Sequence, residues 1–220
     1  MTNSLIQLLV LAGVALFLIL KLRSVLGTRD GFERPAEPLA PPLADAARRA
    51  SDTVEAGPDR DIVDHVPEGS PSAEALTAMK RIEPSFSVGG FLQGARGAYE
   101  MILKGFAKGD IAPMRPYMSP EVAESFEKVF EDRKMRGLTL STDVLGIREL
   151  ALDKAEFDRS TQEAELTVRF GSELISATTD ATGGVVEGDP KKARKQKDVW
   201  TFARKMGSSD PNWRLVETGV

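Results

Sequence analysis

The spacing of apolar residues changes period three times along the chain. Residues 5–20 (LIQLLVLAGVALFLIL) carry no charge, and Gln7 is their only polar side chain. Extending this run from Leu5 to Leu22 gives the shortest length that crosses a bilayer core. It is apolar on every face, unlike the one-sided stripe of a helix in a water-soluble core. Residues 28–84 show no sustained period. Within them, SAEALTAMKRI places Leu76, Met79 and Ile82 on one helical face behind a possible Ser72 cap.

From Ser85 a helical period is clear. In FSVGGFLQGARGAYEMILKGFAKGD the apolar side falls at Phe91, Leu92, Ala95, Tyr99, Ile102, Leu103 and Phe106. Arg96, Glu100, Lys104 and Lys108 repeat on the other side. Gly94, Gly97 and Gly105 each weaken a helix by about 1 kcal/mol relative to alanine, which predicts close packing at those points. A second helix follows in MSPEVAESFEKVFEDRKMRG, with Ser119 as cap, Pro120 in the first turn and Gly137 at the end. Val122, Phe126, Val129 and Phe130 form its predicted buried stripe.

Beyond Leu138 the period becomes two. Residues 144–152 read as a strand with a bulge at Gly146. AELTVRF alternates Leu166, Val168 and Phe170 with Glu165, Thr167 and Arg169, and LISATTD continues it. KDVWTFARKM sets Trp200 and Phe202 against Val199, Thr201 and Ala203. NWRLVET closes the chain. Helices followed by successive strands predict an α+β domain with helices on one face of an antiparallel sheet. The chain divides into an N-terminal transmembrane anchor (1–27), a Pro- and acid-rich, mostly disordered linker (28–84) and a folded domain (85–220).

Composition narrows the chemistry. The linker holds 8 of the 13 prolines, with 12 acidic and 7 basic residues, and no Phe, Tyr or Trp lies between Glu33 and Ser85. The whole chain has net charge −4, which argues against a DNA-binding role. It has no cysteine and one histidine, His65. Thiolate metal sites, cysteine nucleophiles and a Ser-His-Asp triad are therefore not available. No phosphate loop, dinucleotide fingerprint or metal-ligand spacing is present, and no cofactor is expected. A cleaved signal would carry its positive charge before the apolar run. Here Lys21, Arg23 and Arg29 follow it, so the run reads as a retained anchor with the C-terminal domain on the cytoplasmic side and the N-terminus outside.

FLQGARGAYEMILKGFAKGD, LSTDVLGIRE, ELTVRF, VVEGDP, DVWTFAR and NWRL, in that order, resemble the Tim44-like domain family over residues 86–218. An anchor followed by a tether is similar to the arrangement in alphaproteobacterial members. The resemblance implies a cone-shaped domain of helices on a curved antiparallel sheet with an apolar pocket, similar to the nuclear-transport-factor-two-like fold. The mitochondrial relative is a peripheral membrane protein that links a heat-shock chaperone to a translocation channel and contacts cardiolipin. This chain departs from it in having an apolar span and in lacking the long chaperone-recruiting region.

Four candidate sites emerge. Phe91, Tyr99, Ile102, Phe106, Trp200, Phe202 and Trp213 are candidates to line an apolar pocket for an acyl chain or hydrophobic peptide; plain core packing uses the same residues. Lys191, Lys192, Arg194, Lys195 and Lys197 are expected on a hairpin loop. Near an anionic leaflet each contributes about 1 kcal/mol of attraction, and the same charges suit ribosomal RNA. A solvated loop protecting a sheet edge is the plain alternative. Leu5, Lys21, Leu22 and Arg23 delimit the anchor. Asp110 with Tyr117 offers an acid–base pair, against the simpler reading of Asp110 as a turn acid.

The leading expectation is a non-enzymatic scaffold or adaptor at the cytoplasmic face of a bacterial inner membrane. It would bind anionic phospholipid or a protein such as a chaperone or translocase component, in protein translocation or membrane protein assembly. The alternatives are a membrane-associated ribosome receptor using residues 191–197 and a small-molecule isomerase.

Overall fold

Ser70, Ser87 and Ser119 each turn an extended chain into a helix. In all three the hydroxyl accepts a backbone N–H of the first turn, from Ala73, Gly90 and Val122. The computed structural model describes residues 58–219. The helices are α1 (Arg60–Val63), α2 (Pro71–Ile82), α3 (Val88–Lys108) and α4 (Pro120–Met135), with a 3-10 turn at Arg115–Tyr117. The strands are β1 (Thr139–Asp158), β2 (Glu163–Thr179), β3 (Val185–Lys205) and β4 (Arg214–Gly219). They form one antiparallel sheet in sequence order, so the domain is α+β, with helices packed on a curved sheet.

The predicted anchor, residues 1–27, and residues 28–57 of the predicted tether lie outside the described residues. Residues 58–84 depart from the tether reading. They form α1 and α2, and Ile62, Val66, Leu76 and Met79 belong to the domain core. Averaged composition concealed these few apolar residues, which need only a facing surface to be buried. Asp61 fastens α1 to the start of α3, accepting the N–H of Val88 at 2.8 Å and of Gly89 at 3.2 Å. Ser70, not Ser72, caps α2; Ser72 Oγ instead accepts the N–H of Ala155 on β1 at 3.1 Å. Ile82, expected beside Leu76 and Met79, is exposed.

In α4, Val129 is exposed, and Ala123 joins Val122 in the core in its place. Phe126 and Phe130 meet Phe106 at ring distances of 5.0 and 5.3 Å. β1 is longer than residues 144–152, and its register slips between Val144 and Gly146, leaving Leu145 exposed. On β2, Leu166, Val168 and Phe170 are fully buried. On β3, Thr201 and Ala203 are buried as well as Trp200 and Phe202, because this part of the strand runs between β2 and β4.

The basic run is not in the hairpin turn. The β2–β3 turn is built on Asp180, whose Oδ1 accepts N–H groups from Thr182 and Gly184. Residues 191–197 lie within β3. There the register moves from Leu174↔Arg194 to Ser176↔Asp189, so residues 190–193 bulge from the ladder. Gly188 (φ 77°) permits the bulge: a Cβ there would lie 2.2 Å from the Ser176 carbonyl oxygen.

Candidate functional site

An open groove of about 580 Å³ runs beside the first half of α3. Gly90, Gly94, Gly97, Ala98 and Met101 form its helix wall. No atom lies within 4 Å of where a Cβ would stand at Gly94 or Gly97, so these glycines leave the groove wide instead of admitting a neighbour. Gly105 is the closely packed one, with Met114 Sδ 2.4 Å from its would-be Cβ. The far wall is aromatic. Trp213, just before β4, meets Phe91 edge-on at 4.8 Å and Phe86 at 6.0 Å, and Phe91 meets Phe202 at 5.9 Å.

One end of the groove is charged. Arg204 Nη2 donates to both oxygens of Glu83, and its guanidinium lies 5.1 Å from the Trp213 ring centre. Arg204 Nε is buried without a partner. Burial pushes the Glu83 carboxyl up, but hydrogen bonds from Arg204 and the Gly207 N–H, with the guanidinium charge, outweigh it and hold the carboxyl below its usual range.

The seven residues predicted to share a pocket are divided. Phe91, Phe202 and Trp213 line this groove. Ile102, Phe106 and Trp200 line a second space of about 360 Å³ between α3, α4, the Asp198–Trp200 stretch of β3 and the end of β4 paired with it. Phe91 and Ile102 stand roughly 16 Å apart along the helix axis at 1.5 Å per residue, too far to wall one small cavity. Tyr99, between them, lines neither. It is fully buried, stacked on Phe170 at 4.3 Å and 8°. Its hydroxyl donates to Asp198 Oδ2 at 2.5 Å and lies 2.9 Å from Ser172 Oγ. Burial first, then the Asp198 contact, pushes the Tyr99 hydroxyl well up from its usual value.

Glu83, Ser172, Asp198 and Arg204 were not singled out from sequence. Asp198 carried a signal, since it shares its strand face with Trp200 and Phe202 and is therefore a charge at a core position. Arg204 has the same parity, two positions after Phe202, and carried the same signal.

Lys191, Lys192, Arg194, Lys195 and Lys197 are all exposed, and none is in an ion pair among the described residues. Asp110 is an exposed turn acid whose Oδ1 accepts the N–H of Ala112 at 3.1 Å. Tyr117 lines the groove at 37 % exposure. No group of three or more His, Cys, Asp or Glu is placed to hold a metal among the described residues. No helix among them is long and apolar enough to cross a membrane.

The sequence profile described as "Tim44-like domain" matches residues 72–220. The mitochondrial import inner membrane translocase subunit TIM44 of Homo sapiens is 25 % identical over 148 residues, which is 66 % of this chain and 32 % of that protein. The probable mitochondrial import inner membrane translocase subunit tin-44 of Caenorhabditis elegans is 23 % identical over 149 residues, 66 % of this chain and 35 % of that one. The match thus spans about a third of the length of these relatives. Among solved structures, the intermembrane-space region of the chloroplast protein ARC6 is similar at 12 % identity and a TM-score of 0.39, covering 58 % of this chain and 94 % of that chain. That score is too low to carry an argument.

Proposed function

Since this chain belongs to the Tim44-like domain family, we propose that it is a non-enzymatic, membrane-associated scaffold serving protein translocation or membrane protein assembly. The observation that carries this reading is the groove beside α3. It is wide, walled by aromatic rings and glycines, and charged only at one end, which suits an acyl chain or a hydrophobic peptide segment better than a small polar substrate. The printed names of the relatives, subunits of an inner-membrane import translocase, support the translocation setting.

In this reading residues 1–27 anchor the chain in a bacterial inner membrane and hold the domain at the cytoplasmic face. Tethering raises the local concentration of the domain at the membrane, which strengthens weak contacts there. The unpaired cations at residues 191–197 support attraction to anionic phospholipid. The same charges support a second reading, ribosome contact, which salt-sensitive cosedimentation lost on neutralising all five would favour.

Tryptophan emission of a Trp200→Phe chain, in which Trp213 is the one indole left, tests the groove. Monomeric short-chain phosphatidylglycerol added to this full-length variant should shift it to the blue, and adding Gly94→Leu should abolish the shift without unfolding the protein. An unchanged response in Gly94→Leu would place the ligand elsewhere. Topology has its own test, because the chain has no cysteine. Single cysteines at Ser24 and Ser208 should react with an impermeant maleimide only in opened cells. Labelling of the Ser208 position in intact cells would overturn the cytoplasmic placement.

A further inference from the structure

The second pocket has a wall that the scaffold reading leaves unused. Asp198 is 5 % exposed and stands two positions before Trp200 on the inner face of β3. Its carboxylate takes the Tyr99 hydroxyl at 2.5 Å, and Gln196 Nε2 lies 3.1 and 3.0 Å from its two oxygens. These donors are neutral. Among the described residues no lysine or arginine pairs with it. Arg133 packs nearby against Phe106, but donates to the Phe106 carbonyl and lies over the Phe106 and Phe130 rings at 4.8 and 5.1 Å. A carboxylate taken out of water without a counter-charge is costly, and proteins normally supply a cation.

The space beside Asp198 is walled by Ile102, Leu103, Phe106, Phe126 and Trp200. Ring faces attract cations, tryptophan most strongly. The apolar wall disfavours sodium and other ions that keep their water and favours a cation carrying its own alkyl surface. Tyr99 and Gln196 hold the carboxylate in place, so a ligand would not have to order it.

We propose that this pocket binds an organic ammonium group, either as a free alkylammonium ion or as the side chain of a lysine on a bound protein. The charged nitrogen faces Asp198, and its carbon substituents lie against Phe106, Phe126 and Trp200. This site is separate from the groove and does not depend on the groove being occupied.

The test uses the full chain with nitrogen-labelled tryptophan, its two indole signals assigned through Trp213→Phe. Tetramethylammonium should move the Trp200 signal saturably, while tert-butanol, a neutral molecule of similar size, and sodium at equal ionic strength should not. Asp198→Asn should weaken the ammonium response at least about tenfold, as expected for loss of a desolvated charge partner. The Gln196 amide can turn to satisfy the new donor, so the variant should keep its fold. If it does not fold, Phe126→Leu keeps the apolar volume without the ring and should weaken tetramethylammonium but not tert-butanol. Equal responses to the ion and the alcohol, undiminished binding in a folded Asp198→Asn, or no movement of Trp200 would overturn the proposal. A lysine-bearing peptide that binds more tightly than tetramethylammonium assigns the site to a partner's side chain; the reverse order assigns it to a free ion.

Discussion

Arg204 on β3 and Glu83, just after α2, are 121 residues apart in sequence, yet Nη2 lies 2.9 and 2.8 Å from the two carboxylate oxygens. The side chains are 7 % and 24 % exposed. The pair ties the N-terminal helices to the sheet. Glu83→Ala leaves the guanidinium buried without an anion, and should cost about 3 kcal/mol in urea unfolding. A loss no larger than that of an exposed ion pair would show that the guanidinium finds water instead.

Asp61 makes a second tie, and it is sensitive to acid. Burial pushes its carboxyl up, but Lys80, the N–H groups of Val88 and Gly89, and Ser87 outweigh that and hold it at about 2. The folded value lies below the unfolded one, so the unfolded chain binds the proton first on acidification. The contribution is complete above roughly pH 4 and is lost as pH falls toward 2. It is worth about 2 kcal/mol. Asp61→Asn should therefore be less stable than the parent at pH 6, and the two unfolding midpoints should converge as pH nears 2.

The glycines of α3 should answer oppositely to alanine. At Gly94 and Gly97 a methyl meets nothing, so each substitution should stabilise by about 0.5–1 kcal/mol through helix propensity while narrowing the groove. At Gly105 the methyl would run into Met114, which is fully buried, and overpacking of about 1–3 kcal/mol should exceed the propensity gain. Thermal melts of the three single variants check the signs.

Tyr99→Phe keeps the ring stacked on Phe170 but removes the donor to buried Asp198. Gln196 still donates to both oxygens, so the expected loss is that of one hydrogen bond to a charged acceptor, about 1.5–3 kcal/mol. Calorimetry would show this as a lower melting temperature.

Replacing Lys191, Lys192, Arg194, Lys195 and Lys197 by glutamine should leave stability within about 0.5 kcal/mol per site, since all five are exposed. It should remove the salt-dependent part of the full chain's binding to vesicles containing phosphatidylglycerol. Binding to phosphatidylcholine vesicles should not change.

The strongly periodic elements are legible in the sequence alone. α3 follows the helical period of its apolar residues, α4 starts at Ser119 as the capping pattern marks, and β2 buries Leu166, Val168 and Phe170 as its alternation requires. Weakly periodic stretches are not. Residues 58–84 read as linker because their apolar residues are few, and the burial of each depends on surfaces supplied by β1 and α3. The basic run read as a loop because charge density resembles solvation. Arg194, Lys195 and Lys197 are placed by pairing with β2, and Lys191 and Lys192 by the bulge beside it, neither of which a local pattern shows.

The candidate site was half legible for the same reason. The sequence alone determined which residues are apolar, which helix face they share, and that the chain has no cysteine and a single histidine, His65. Of the aromatic residues proposed for a pocket, Phe91 and Tyr99 on α3 and Trp200 and Phe202 on β3 are buried. Only the tertiary structure decided that they line two separate spaces, and that Asp198 stands beside one and the Arg204–Glu83 pair beside the other. Periodicity reports the direction of a side chain relative to its own helix or strand. Which inward-facing residues meet depends on strand register, bulges and helix placement, and these are set by contacts between residues as distant as Glu83 and Arg204.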